Sequence, residues 1–305
     1  MFLARIVTLL GLVGLSLPQE GALLPPSPTE TAPRRPVPSR VGRSGRVLSE
    51  RVDLSRRSAH HDLARSLREV SGLAVTNDGR LFAHNDERAT VYEIDPHTGR
   101  RLRRFDLGRP AARGDFEGLA VEGGTFYLIT SRGMLYRFRE PAGEDVAAFG
   151  AVDTGVGSRC EVEGLAYDPV ERMLLAPCKT VPATEASYLV IYRLTTGPRP
   201  RAASVLRVPL AQLEAFGLPA SFHPSGIEID PGAHTMVLIS ARDRVVLELS
   251  RDLRIMDAVK LRRHRHPRME GVAFAPDGAL LIADEGRTGR GRLTRYAPVL
   301  GGAAR

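Results

Sequence analysis

EVSGLAVTNDGRLFAHNDE, Glu69 to Glu87, contains the unit on which the fold turns. A Ser and a Gly open an alternating apolar run, VSGLAV, and a turn containing Asn, Asp and Gly ends it. A second apolar run, RLFAHND, follows at once. Alternation with period two reads as strand, and the Asp-Gly pair between the runs reads as a hairpin turn. The phrase returns four times: FEGLAVEGG from Phe116, VEGLAYDP from Val162, PSGIEIDPG from Pro224 and MEGVAFAPDG from Met269. The glycines Gly72, Gly118, Gly164, Gly226 and Gly271 lie 46, 46, 62 and 45 residues apart. Each unit continues with a second run (TFYLITS, MLLAPC, TMVLISA, ALLIADE) and a third (VYEID, LYRFR, IYRL, VLEL, LTRY). A weaker fourth is visible in RLRRFDL, VAAFGAV, SVLRVPL and IMDAVKL. Four strands in about 45 residues, repeated, predict an all-β chain folded as a single β-propeller. Five blades are expected, with six as the alternative if the long third repeat hides a degenerate blade.

The last repeat stops soon after Tyr296 without a fourth strand. RVLSERVDLSR, Arg46 to Arg56, has no partner of its own and is expected to close the ring as an N-terminal strand, which removes two sheet edges. The third repeat carries extra residues at Thr180–Ser187 and Leu210–Phe222, where AQLEAFG reads as a short helix over the channel mouth. The propeller is expected over 46–298, with a tail at 299–305. Ahead of it, residues 1–24 read as a signal peptide or a membrane tether. Arg5 precedes the apolar run Ile6–Leu17, which is too short for a comfortable span. Residues 25–45 are a Pro-rich linker. An exported protein follows, periplasmic or extracellular, free or tethered to the inner membrane, with no membrane contact beyond that segment.

The 305 residues are 43% hydrophobic and 26% charged, which excludes a polytopic membrane protein and a wholly disordered chain. The net charge of +8 suggests nucleic acid, but Lys179 and Lys260 are the only lysines, the arginines are scattered and Trp is absent. That pattern argues against a nucleic-acid partner.

The first strand of each blade lines the central channel, so Ser71, Glu117, Glu163, Ser225 and Glu270 form a predicted ring. Three carboxylates in a narrow channel repel one another unless neutralised. Hard oxygen donors suit Ca²⁺, or Mg²⁺, with Glu117, Glu163 and Glu270 as ligands. The competing reading is that each Glu caps backbone N–H groups or pairs with an Arg. A second ring at the ends of the second strands supplies ligand-binding candidates: Asn85, Asp86, Ser131, Arg132, Lys179, Ser240, Arg242, Asp284 and Glu285. Asp115 either joins the ring or starts a turn. His264 and His266 read as a solvated loop, His84 as a packed core residue, and His223 as within reach of the channel. Cys160 and Cys178 face each other across one hairpin, and an oxidising compartment would join them. No G-x-S-x-G, H-E-x-x-H, EF-hand or P-loop pattern occurs.

The ordered set S-G, E-G, E-G, S-G, E-G, with the strands after each, resembles the SdiA-regulated family of bacterial exported propellers. The likeness runs from about Glu69 to Pro298 and is clearest in the first and last repeats. Similar phrases occur in the esterase-like phytase group and, more loosely, in gluconolactonase-type propellers. The resemblance implies a propeller with a divalent-cation site on the axis and brings no settled reaction. The expected function is therefore binding of a small ligand or protein partner at the mouth. A metal-assisted hydrolase of a phosphate ester or lactone is one alternative, with catalytic residues unassigned; a structural interaction scaffold is the other.

Overall fold

Each repeat folds as one antiparallel sheet, and the five sheets stand around one axis. The computed structural model describes residues 45–299 apart from Glu144. The segments read as signal peptide or tether, and as linker up to residue 44, lie outside the described residues. The blades have inner strands at Val70–Val75, Phe116–Glu122, Glu161–Val162 with Ala166–Asp168, Gly226–Ile229 and Met269–Phe274. Their outer strands are Arg101–Leu107, Phe149–Asp153, Ala202–Pro209, Ile255–Lys260 and, for the fifth blade, Ala59–Asp62. The third repeat adds no sixth blade.

The core is divided among the five gaps between blades rather than gathered at the centre. Phe82, Phe105, Phe126 and Phe138 fill the gap between blades one and two, and Leu189, Val208, Ile227 and Leu247 that between three and four. Each middle strand is therefore covered on both faces, which is why Thr125–Thr130 and Met236–Ser240 are apolar almost throughout and fully buried. The repeated Gly lets the inner strands meet backbone to backbone. A Cβ on Gly118 would lie 2.3 Å from the Leu165 nitrogen, and Gly164 sits at φ 118°.

The ring closes through an N-terminal strand, but not through Arg46–Arg56. Ala59–Asp62 pairs antiparallel with Arg292–Tyr296, with Ala59 opposite Arg295 and Asp62 opposite Arg292. The earlier segment instead forms a helical turn, Leu48–Arg51, wedged between blades four and five. Leu48 and Val52 are four residues apart, a helical spacing that so short a stretch hides within an apparent alternation. Blade four accepts the turn: the Leu48 and Ser49 N–H groups donate to Glu248 and Asp257 at 2.6 and 2.7 Å. Arg51 reaches Glu248 at 2.7 Å and Asp230 at 2.8 Å.

LAQLEAF, Leu210–Phe216, is a 3-10 turn that packs against blades three and four rather than over the channel. Leu213 packs into the gap between blades three and four, and Gln212 binds the backbone of Leu253 and Ile255 beside the outer strand of blade four. Among the described residues no helix is long and apolar enough to cross a membrane.

Candidate functional site

A β-bulge in the inner strands of blades one, two and five falls at Ser71, Glu117 and Glu270, where the register skips from Val70 to Gly72, Phe116 to Gly118 and Met269 to Gly271. A bulge re-aims the extra residue, and here the repeat places that residue at the same point of each blade. Glu163 holds the equivalent place in blade three and is 3% exposed. Ser71 donates to Glu117 Oε2 at 3.0 Å. Lys179, from the end of the second strand of blade three, hydrogen-bonds Glu163 and lies 3.9 Å from Glu161. Arg268 lies 3.6 Å from Glu270 but gives its shorter bond, 2.6 Å, to Glu285.

Burial pushes the Glu117 carboxyl well above the usual carboxylate range, and the neighbouring Glu163 and Asp115 push it further. Burial likewise raises Glu270 to about 8. Glu163 is raised by burial while Lys179 pulls against it. Burial works against the Lys179 ammonium, and Glu163 overcomes it to raise its pKa. Burial thus favours the protonated form of Glu117 and Glu270, with Lys179–Glu163 and Arg268–Glu285 as ion pairs beside them.

Blade one adds acceptors without donors. His84 Nδ1 faces the Asn85 carbonyl at 3.0 Å, so that nitrogen carries the proton and Nε2 is left as an acceptor. The ring is fully buried, which lowers its pKa to about 4. His84 Nε2, Asn85 Oδ1 and Asp86 Oδ1 are all buried without a hydrogen-bond partner. Burial, with Glu69 beside it, raises Asp86.

Several predicted mouth residues are committed elsewhere. Ser225 donates to the Met269 carbonyl of the next blade at 2.6 Å and so joins two blades. Ser240 is fully buried and donates to Asp243 at 2.8 Å. Arg242 lies 3.0 Å from His223 Nε2, and His223 Nδ1 meets Asp243 at 3.2 Å. Ser131 donates to Asp115 at 2.6 Å, while Arg132 is exposed. Asp284 is 1% exposed, and His266 is not solvated: its nitrogens meet Asp284 at 2.7 Å and the Tyr296 hydroxyl at 2.6 Å. That buried trio fixes the RRHRHPR loop to blade five.

Cys160 and Cys178 are joined by a disulfide with Cα atoms 5.6 Å apart. Among the described residues no three His, Cys, Asp or Glu side chains form a group that could hold a metal ion. With Lys179 supplying the positive charge at Glu163, the ring as arranged does not fit a divalent cation.

Sequence reasoning missed Glu228. Four blades carry Ala at this point of the inner strand, Ala74, Ala120, Ala166 and Ala273, and the fourth blade carries Glu228. Burial raises its carboxyl to about 8, and its close contact is the Ile229 N–H at 2.8 Å. The break in the alanine pattern was the available signal.

A five-bladed propeller whose axis is lined at one end by carboxyl groups and a lysine is the class that fold and site define. The SdiA-regulated family profile matches residues 60–287, and the chain belongs to that family. No curated protein matches it. Among solved structures it is similar to the glutaminyl cyclase of Myxococcus xanthus, at 15% identity and a TM-score of 0.55, over 80% of this chain and 97% of that one. It is also similar to the PQQ-bound aldose sugar dehydrogenase of Streptomyces coelicolor, at 15% identity and 0.49, over 80% and 98%. At 15% identity the likeness to the glutaminyl cyclase shows the fold alone.

Proposed function

We propose that the protein is an exported binding propeller whose channel mouth takes a small ligand bringing hydrogen-bond donors and positive charge, an amine first of all. The observation that carries this is the set of buried acidic and acceptor groups in blades one, two and five. Glu117 and Glu270 share the ring position, with Ser71 donating to Glu117 and Arg268 3.6 Å from Glu270, while Asn85 Oδ1 and Asp86 Oδ1 at the end of the second strand of blade one are buried without a partner. A bound ammonium would offer three donors and return the raised carboxyls to their charged form, releasing protons. The Cys160–Cys178 bond supports an oxidising compartment and hence export.

The test is calorimetric titration with a panel of primary amines and diamines, with Ca²⁺ and Mg²⁺ as separate arms, in buffers of different ionisation enthalpy. Amine binding with proton release, weakened in Glu117→Gln and Glu270→Gln, is expected. Binding of Ca²⁺ without any amine would move the reading to the divalent-cation site; binding of neither would remove the mouth as a ligand site.

A second reading is hydrolysis, favoured by one observation. A carboxyl whose pKa is raised by burial, as that of Glu117 is, suits a general acid. Turnover of a lactone or phosphate ester that Glu117→Gln abolishes would establish it.

A further inference from the structure

Lys179 is one of two lysines in a chain otherwise served by arginine, and it sits at the channel mouth. Lys260 is the other, and it lines a separate cavity of about 170 Å³ against blade four. The insertion of the third repeat builds that cavity. Leu213 and Phe222 are buried in its wall, and Leu218 is half-buried beside them. Its opposite wall is the turn after Ser240, which brings Arg242 and Arg244, and the end of the outer strand brings Lys260 next to that turn.

The charges are unevenly used. Asp243, the one acid in the lining, accepts from the His223 N–H at 2.8 Å and from Ser240 at 2.8 Å. Arg242 is directed to His223. Arg244 and Lys260 make no side-chain hydrogen bond or ion pair among the described residues. Two unpaired cations therefore stand at the rim of a cavity with an apolar wall. The volume is close to the roughly 150 Å³ that a benzene-sized molecule fills in a protein interior.

We propose that this cavity is a second binding site, for a small organic acid: a carboxylate on a compact aromatic or branched body. The body rests on Leu213, Leu218 and Phe222, and the carboxylate meets Arg244 and Lys260. The site is independent of the channel mouth, whose chemistry is of opposite sign.

Titration calorimetry with benzoate, benzyl alcohol and acetate tests this directly. Benzoate is expected to bind, and each of the other two at least about tenfold more weakly, since each lacks one half of the ligand. Arg244→Gln combined with Lys260→Gln, two half-exposed or exposed side chains, should lose about tenfold in benzoate affinity with no change in unliganded melting temperature. Arg139→Gln, at an exposed arginine of blade two outside the cavity, should bind benzoate as the unaltered protein does. Absence of benzoate binding at about 10 mM, equal binding of acetate, or full affinity in the double variant would each overturn the proposal.

Discussion

Glu270 and Glu228 are carboxyls whose folded-state pKa lies near 8, against 4.5 when unfolded. Between those values the unfolded chain gives up the proton and the folded chain keeps it. Each group therefore costs stability that grows as pH rises from about 4.5 to 8 and then levels off. Glu270→Gln or Glu228→Gln should thus change little at pH 4.5 and stabilise by about 1–3 kcal/mol at pH 9, as paired denaturation curves would show. Lys179→Met should act oppositely, leaving Glu163 buried and unpaired; its melting temperature should fall as pH rises above about 4.5, while Lys179→Arg should retain most of the stability. The ring glutamates were legible because five repeats put them in register. Their protonation was not, since it depends on burial and on Lys179 crossing from the second strand. Asp284 and Ser240 read as mouth residues for the same reason that misplaced them: a strand end in sequence does not reveal which face a loop covers. The partner that buries Asp284, His266, lies in a charged run that looks exposed.

Strand succession was nearly all readable, because each middle strand is buried on both faces and each inner strand ends in a turn of Asp, Pro or Gly. The closure was readable only as a need. Which residues meet it depends on carboxylates contributed by blade four, about 200 residues away, that turn Leu48–Arg51 into a helix instead of a strand. Arg51 is the critical member. Glu248 is fully buried, and Arg51→Ala would strip its cationic partner at a cost of about 3 kcal/mol, measured by denaturant unfolding. The Thr235 hydroxyl, 2.7 Å from the same oxygen, cannot replace a charge. A loss under about 0.5 kcal/mol would show that the wedge contributes little to closure. The disulfide acts within one hairpin of blade three. Replacing both Cys160 and Cys178 by Ala should lower stability by about 3 kcal/mol, since the bond closes a loop of sequence separation 18.

For the whole molecule, closure and acidity are one design. Five glycines bring the inner strands close enough that their bulged carboxyls face a common, poorly solvated space, and a narrow ring cannot hold several of them charged. The chain answers with Lys179 at Glu163, with Arg268 beside Glu270 and with protonation, and a positively charged ligand would complete the neutralisation. The repeat places the ring position beside Gly72, Gly118, Gly164, Gly226 and Gly271, and blades two, three and five fill it with the carboxyls of Glu117, Glu163 and Glu270. Carbon-13 NMR titration of the glutamate side-chain carboxyls tests that account most directly, with Glu117→Gln and Glu270→Gln used for assignment. The account predicts glutamate resonances titrating above pH 7 for Glu117, Glu270 and Glu228; the first two are absent in the respective variants and move to lower pH when an amine ligand is added. Titration of every glutamate below about pH 5 would contradict it.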